Sequence, residues 1–133
     1  MNIDSNKEIV NAPVEKVYEY LTNTANIGEL LPKGEVKDFE GDQTTCSFKV
    51  QGGITISLIQ KELLAPNEIR LVSGEKSPFP FKLSVLLSEK DGNTEGYIAF
   101  DGEVNMFLQM MVKTPLTNLF NYMSKELKKV FEN

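Results

Sequence analysis

Residues 114–131, TPLTNLFNYMSKELKKVF, carry an apolar stripe that the rest of the chain has to cover. Leu116, Leu119, Phe120, Met123, Leu127, Val130 and Phe131 recur at three- and four-residue spacing. At about 3.6 residues per turn that puts them on one side of a helix. Asn118, Asn121, Lys125, Glu126, Lys128, Lys129 and Glu132 fall on the other side. Thr114 followed by Pro115 reads as N-cap and first helical residue, because the N–H that proline lacks is one of the donors left unsatisfied at a helix start. Such a helix is half-buried, and upstream chain must bury it.

Upstream, the apolar period is two. Val36–Phe39 and Thr44–Val50 flank Gly41-Asp42 as an antiparallel pair, with Thr44, Cys46, Phe48 and Val50 on one face. Gly52-Gly53 turns the chain into Ile54–Leu63, where the alternation of Ile54, Ile56 and Leu58 loses phase at Ile59, as a bulge would cause. After a turn at Pro66-Asn67, Ile69, Leu71 and Ser73 share one side of a strand. Phe79, Phe81, Leu83, Val85 and Leu87 then alternate strictly. Asp91-Gly92-Asn93 is a hairpin turn. The last strand sends Ile98, Phe100 and Val104 inward, with Tyr97, Asp101 and Glu103 on the opposite face. At the other end of the chain, Ile3–Val10 reads as a first strand. Pro13 opens a helix carrying Val14, Val17, Tyr18 and Leu21, and Ile27, Leu30 and Leu31 mark a second short helix that Pro32 and Gly34 end.

The order is therefore β-α-α-β6-α, an α+β chain with about seven strands. Alternation along the strands means one wet and one dry sheet face, which favours antiparallel pairing with helices on a single side. The 133 residues suit one domain, 1–133, because a chain of this size buries roughly two-thirds of its unfolded surface.

With this order in hand, the segment IVNAPVEKVYEYLTN at residues 9–23 resembles the strand-to-helix opening of the helix-grip proteins, the START-like, Bet v 1-like or SRPBCC superfamily. The pattern rests on Ala12, Pro13, Glu15, Val17 and Tyr18. The terminal KTPLTNLFNYMSKELKKVFEN is similar to the long last helix of small bacterial members, many of them functionally unassigned. The resemblance implies a curved antiparallel sheet wrapped on the C-terminal helix, often with an apolar cavity between them for lipids or other hydrophobic molecules. It does not by itself carry a function.

Composition narrows the chemistry. A formal net charge of −5 speaks against a nucleic-acid partner, which needs clustered Lys and Arg. No apolar run is long enough to span a bilayer. A lone Cys46, with no run of signal-peptide length at the N-terminus, makes a reducing cytoplasm the expected compartment. The absence of His removes the commonest general base and any Ser-His or Cys-His nucleophile pair. It also leaves no metal-ligand pattern, so neither metal, cofactor nor catalytic residue is expected.

The expected activity is binding of a small hydrophobic or lipid-like molecule between sheet and helix. The ligand-binding candidates are Phe48, Phe79, Phe81, Phe100, Met106, Phe107, Met110, Phe120 and Met123. The phenylalanines could equally fill the concave space, since an empty cavity costs on the order of 20 cal/mol per Å³. The Met-rich stretch 106–111 reads either as a flexible apolar rim or as the closed end of the core. Two rivals stay open. One is a cyclase- or isomerase-like enzyme using cavity hydroxyls of Ser73, Tyr18, Tyr97 or Tyr122. The other is an interaction module with a filled core, for which a homodimer is one form.

Overall fold

In the computed structural model, which describes residues 1–50 and 52–132, the change of period translates into one antiparallel sheet and one long helix. The strands are β1 (Asn2–Asp4), β2 (Glu8–Val10), β3 (Val36–Gly41), β4 (Thr45–Val50), β5 (Ile54–Leu64), β6 (Glu68–Ser73), β7 (Phe81–Lys90) and β8 (Asn93–Gly102). Their order is β1-β8-β7-β6-β5-β4-β3, with β2 also on β8, so a meander is completed by the first strand returning beside the last. This is a helix-grip α+β fold. The expected first strand exists but is broken. Asn2 pairs with Asp101 and Glu8 with Gly96, a one-residue change of register that leaves Ser5, Asn6 and Lys7 as a bulge against β8.

Two further bulges bend the sheet. In β3 the register shifts between Lys37 and Glu40, where Asp38 adopts φ 56°, and in β5 it shifts between Gln60 and Glu62. The expected break at Ile59 therefore lies just beyond it. Ile59 keeps the alternation and simply faces outward, 40% exposed. The β7–β8 turn is the two-residue loop Asp91-Gly92, with φ of 54° and 84°, the positive pair that a twist-compatible hairpin turn requires.

Helix α1 (Val14–Leu21) begins after Pro13 and buries Val14, Val17 and Leu21; a 3-10 segment, Thr24–Leu30, follows and buries Ile27 and Leu30. The long helix α2 runs from Met106 to Val130, and so starts two turns earlier than the Thr114-Pro115 pair suggested. Asn105 is its N-cap: the side-chain Oδ1 accepts from Leu108 N–H at 2.9 Å. Pro115 lies inside the helix and leaves the Met111 carbonyl without its usual donor. Met111 is on the exposed side, where water can serve that carbonyl. Two residues on, the Thr117 hydroxyl donates to the Lys113 carbonyl at 2.7 Å.

The stripe packs as expected through Leu116, Leu119, Phe120, Met123 and Leu127, all buried. Val130 does not join it and is 40% exposed, while Phe131 is half-buried with its ring edge-on to Tyr20 at 5.7 Å. The dry sheet face meets α1, the 3-10 segment and α2 through Phe48, Ile56, Leu58, Ile69, Leu71, Leu83, Leu87, Ile98 and Phe100.

Candidate functional site

Sheet and helix are in contact along most of the grip, because aromatic rings fill one half of it. Phe81 and Phe100 lie 5.1 Å apart, Phe100 and Phe120 5.3 Å, and Phe79 sits edge-on to Phe100 at 6.4 Å. All four rings are buried. Phe48 belongs elsewhere and stacks on Phe39 at 6.4 Å.

Beside this cluster, toward the C-terminal half of α2, a cavity of about 30 Å³ remains. Its walls are Val10 from β2, Leu21 from α1, Ile27 and Leu30 from the 3-10 segment, and Met123, Ser124 and Leu127 from α2. The floor is Leu58, Leu71, Leu83, Val85, Gly96, Tyr97 and Ile98. No carboxylate, amine or guanidinium is among these residues. A water needs two to four polar partners to be held in such a space. Ser124 supplies the one side-chain hydroxyl on the inward face, since Tyr97 belongs to the outward register of β8, where Lys7 Nζ stands 5.5 Å above its ring. The space is thus dry.

The candidate residues separate into four places. Met123 lines the cavity; Phe79, Phe81, Phe100 and Phe120 form its closed flank; Phe48 packs farther along the sheet. Met106, Phe107 and Met110 lie outside altogether, 81%, 73% and 84% exposed on the first turns of α2, with Met111 beside them at 59%. From Met110 to Met123 is 13 helical residues, about 20 Å along the axis. The Met-rich turns are therefore an apolar surface and not the mouth of this cavity.

The suspected hydroxyls of Ser73, Tyr18 and Tyr122 do not line this cavity. Ser73 Oγ accepts from Phe81 N–H at 3.1 Å, Tyr122 is 39% exposed, and Tyr18 is half-buried. Tyr20 is raised above the ordinary tyrosine range by burial and then by the Glu29 charge. Cys46 is buried, and burial, with a smaller push from the Asp42 charge, raises its thiol to about 12. A thiol so far from ionisation is a small hydrophobe and not a nucleophile. Asp42 itself is exposed and is held below the usual carboxylate range by N–H groups of Thr44 and Thr45 at the β3–β4 turn.

Thr94, fully buried, donates its hydroxyl to the Ala12 carbonyl at 2.8 Å, and two other polar features at the core also escaped the sequence reading. Ser124 is 5% exposed, and its Oγ is 2.8 Å from Ser5 Oγ, which in turn accepts from Ile98 N–H at 2.8 Å. Ser124 is four residues after Phe120 and three before Leu127, so a polar residue inside the stripe was the available signal. The second is Thr24, whose buried hydroxyl has no hydrogen-bond partner among the described residues. No grouping of three or more potential metal ligands exists among the described residues, and no helix there is long and apolar enough to cross a membrane.

No protein-family model matches the sequence, and no curated protein matches it. Solved structures do match. A START superfamily protein from Mycobacterium smegmatis superposes with a TM-score of 0.73 at 12% identity, over 98% of this chain and 96% of that one. A Thermus thermophilus protein gives 0.72 at 16% identity, over 97% and 95%. A Chromobacterium violaceum protein gives 0.69 at 18% identity, over 99% and 97%. At such identities the likeness is one of fold, and the fold is that of the START-like structures.

Proposed function

We propose that the chain, acting as one domain, binds a small hydrophobic molecule between its sheet and the C-terminal half of α2. The observation that carries this reading is the small, almost wholly aliphatic cavity under α1, the 3-10 segment and α2. Its volume of about 30 Å³ leaves room for no more than a few water-sized groups, so a ligand must open the grip to enter. The element that can give way is the 3-10 segment, only seven residues long, with the poorer hydrogen bonding of that helix type. Displacing Ile27 and Leu30 joins the cavity to the groove outside, which Tyr20, Asn26, Glu29 and Tyr122 line. Met123 is the first candidate contact, and the four packed phenylalanines become contacts for a ligand long enough to displace them. No carboxylate, amine or guanidinium lines the cavity, so binding is favoured over catalysis.

The test is displacement of an uncharged apolar fluorescent dye from untagged protein. Saturable binding that a Val10→Phe substitution abolishes, with the fold retained, supports the reading. Wild-type protein that gives no saturable binding overturns it.

A second reading has its own observation, the exposed Met106, Phe107, Met110 and Met111. Four large apolar side chains on two helical turns form a contiguous patch of the kind that marks a contact surface. A second copy of the chain is the simplest occupant. Light scattering across a concentration series distinguishes a dimer that Phe107→Ser dissociates from a monomer at every concentration.

A further inference from the structure

We infer that the ligand of this cavity is an uncharged aliphatic molecule with one hydrogen-bonding oxygen, and that Ser124 Oγ is the group that recognises it. This rests on the cavity reading above and adds the class of ligand. The lining supplies aliphatic side chains almost throughout and, on its inward face, this one hydroxyl.

The hydrogen-bond inventory around that hydroxyl is incomplete. A serine hydroxyl has one proton and two acceptor positions. Ser5 Oγ already accepts from Ile98 N–H at 2.8 Å, and its own proton has two destinations, the Asn6 carbonyl at 3.3 Å or Ser124 Oγ at 2.8 Å. If Ser5 donates to Ser124, the Ser124 proton is unspent. If Ser5 donates to Asn6, Ser124 donates to Ser5 and its lone pairs are unspent. Ser124 thus offers a donor or an acceptor in either arrangement, and an alcohol oxygen, which can both donate and accept, fits both.

Charge is excluded by the same surroundings. A carboxylate or ammonium here would be desolvated with no opposite charge to meet it, a penalty that aliphatic walls cannot offset. A neutral oxygen loses far less and recovers it through one hydrogen bond. The matching ligand is therefore a medium-chain alcohol or a molecule with an equivalent end, its hydrocarbon part among Leu21, Ile27, Leu30 and Leu127.

The plainer role for this serine pair is a clamp that fixes α2 to the bulge after β1, and the experiment separates the two. Wild-type, Ser124→Ala and Ser5→Ala proteins are titrated with 1-hexanol and with 1-chlorohexane, which has similar size and no hydroxyl. Binding is followed by amide chemical shifts of Ile27, Leu30 and Leu127, with thermal unfolding alongside. The expected result is a hexanol-to-chlorohexane affinity ratio about fivefold higher in wild type than in Ser124→Ala, the size of one buried hydrogen bond. Ser124→Ala should leave chlorohexane affinity within about twofold, and Ser5→Ala should keep the wild-type ratio. A ratio that Ser124→Ala leaves unchanged overturns the inference and leaves the clamp, with the cavity reading intact. Saturation by neither probe overturns the cavity reading and this inference with it.

Discussion

Leu127→Ala tests the packing of the grip where the cavity lies. Leu127 is 6% exposed and faces Leu21, Ile27 and Leu30 across the 30 Å³ space. Truncation removes the equivalent of three buried methylene groups, about 2.4 kcal/mol at about 0.8 kcal/mol each. The void it creates merges with the existing one. If the added void is roughly 70 Å³, at about 24 cal/mol per Å³ it adds a further ~2 kcal/mol. The 3-10 segment can settle partly into the gap, so the expected loss is about 3 to 4 kcal/mol. Urea unfolding followed by circular dichroism measures this directly. Lys125→Ala, on the exposed side of the same helix turn, should change stability by less than about 0.5 kcal/mol. The enlarged apolar space should also bind benzene more tightly than the wild type does, raising the melting temperature of the variant by more. A loss below about 1 kcal/mol with no benzene effect would falsify the placement of Leu127 under the 3-10 segment.

Other expectations follow from burial and hydrogen bonding. Phe107→Ser and Met110→Ser should each change folding stability by less than about 0.5 kcal/mol, because both side chains are exposed. They should leave ligand affinity at the distant cavity unchanged, and dye displacement beside a thermal melt checks both points. Thr24→Val removes a buried hydroxyl without a partner and should raise stability by about 1 kcal/mol, measurable as a higher urea midpoint. Cys46 should resist iodoacetamide at pH 8 in the folded protein and react once urea is added, because burial holds its pKa near 12. The stabilisation tied to that raised pKa is full below the unfolded-state value near 8.5 and is lost as pH rises toward 12.

The architecture was legible because the period of the apolar residues changes where the elements change, and because the turns use residues with few alternatives. Asp91-Gly92 and the Ile98–Phe100 alternation leave little freedom in register, and the Leu116–Leu127 stripe has one helical solution. The start of α2 was not legible, since a Thr-Pro pair is a frequent helix opening and the true cap, Asn105, stands before a run whose exposed residues are apolar. Pro115 is tolerated in the interior because the carbonyl it orphans faces outward. The bulge after β1 was hidden for a different reason. Ser5 replaces part of a backbone ladder with its own hydroxyl, and that requires β8 and Ser124 to be in place, partners about 90 and 120 residues away. The size of the cavity was beyond the sequence as well. Five phenylalanines on inward faces suit an open pocket or a filled one, and only the ring separations of 5.1–6.4 Å distinguish them.

Native mass spectrometry of gently purified, untagged protein bears most directly on the claim that this grip holds a small hydrophobic molecule. The account expects a second population heavier by the mass of one neutral, lipid-like compound, which organic extraction removes and which returns on incubation with the extract. A single bare-mass species, unchanged by medium-chain alcohols added in excess, contradicts it.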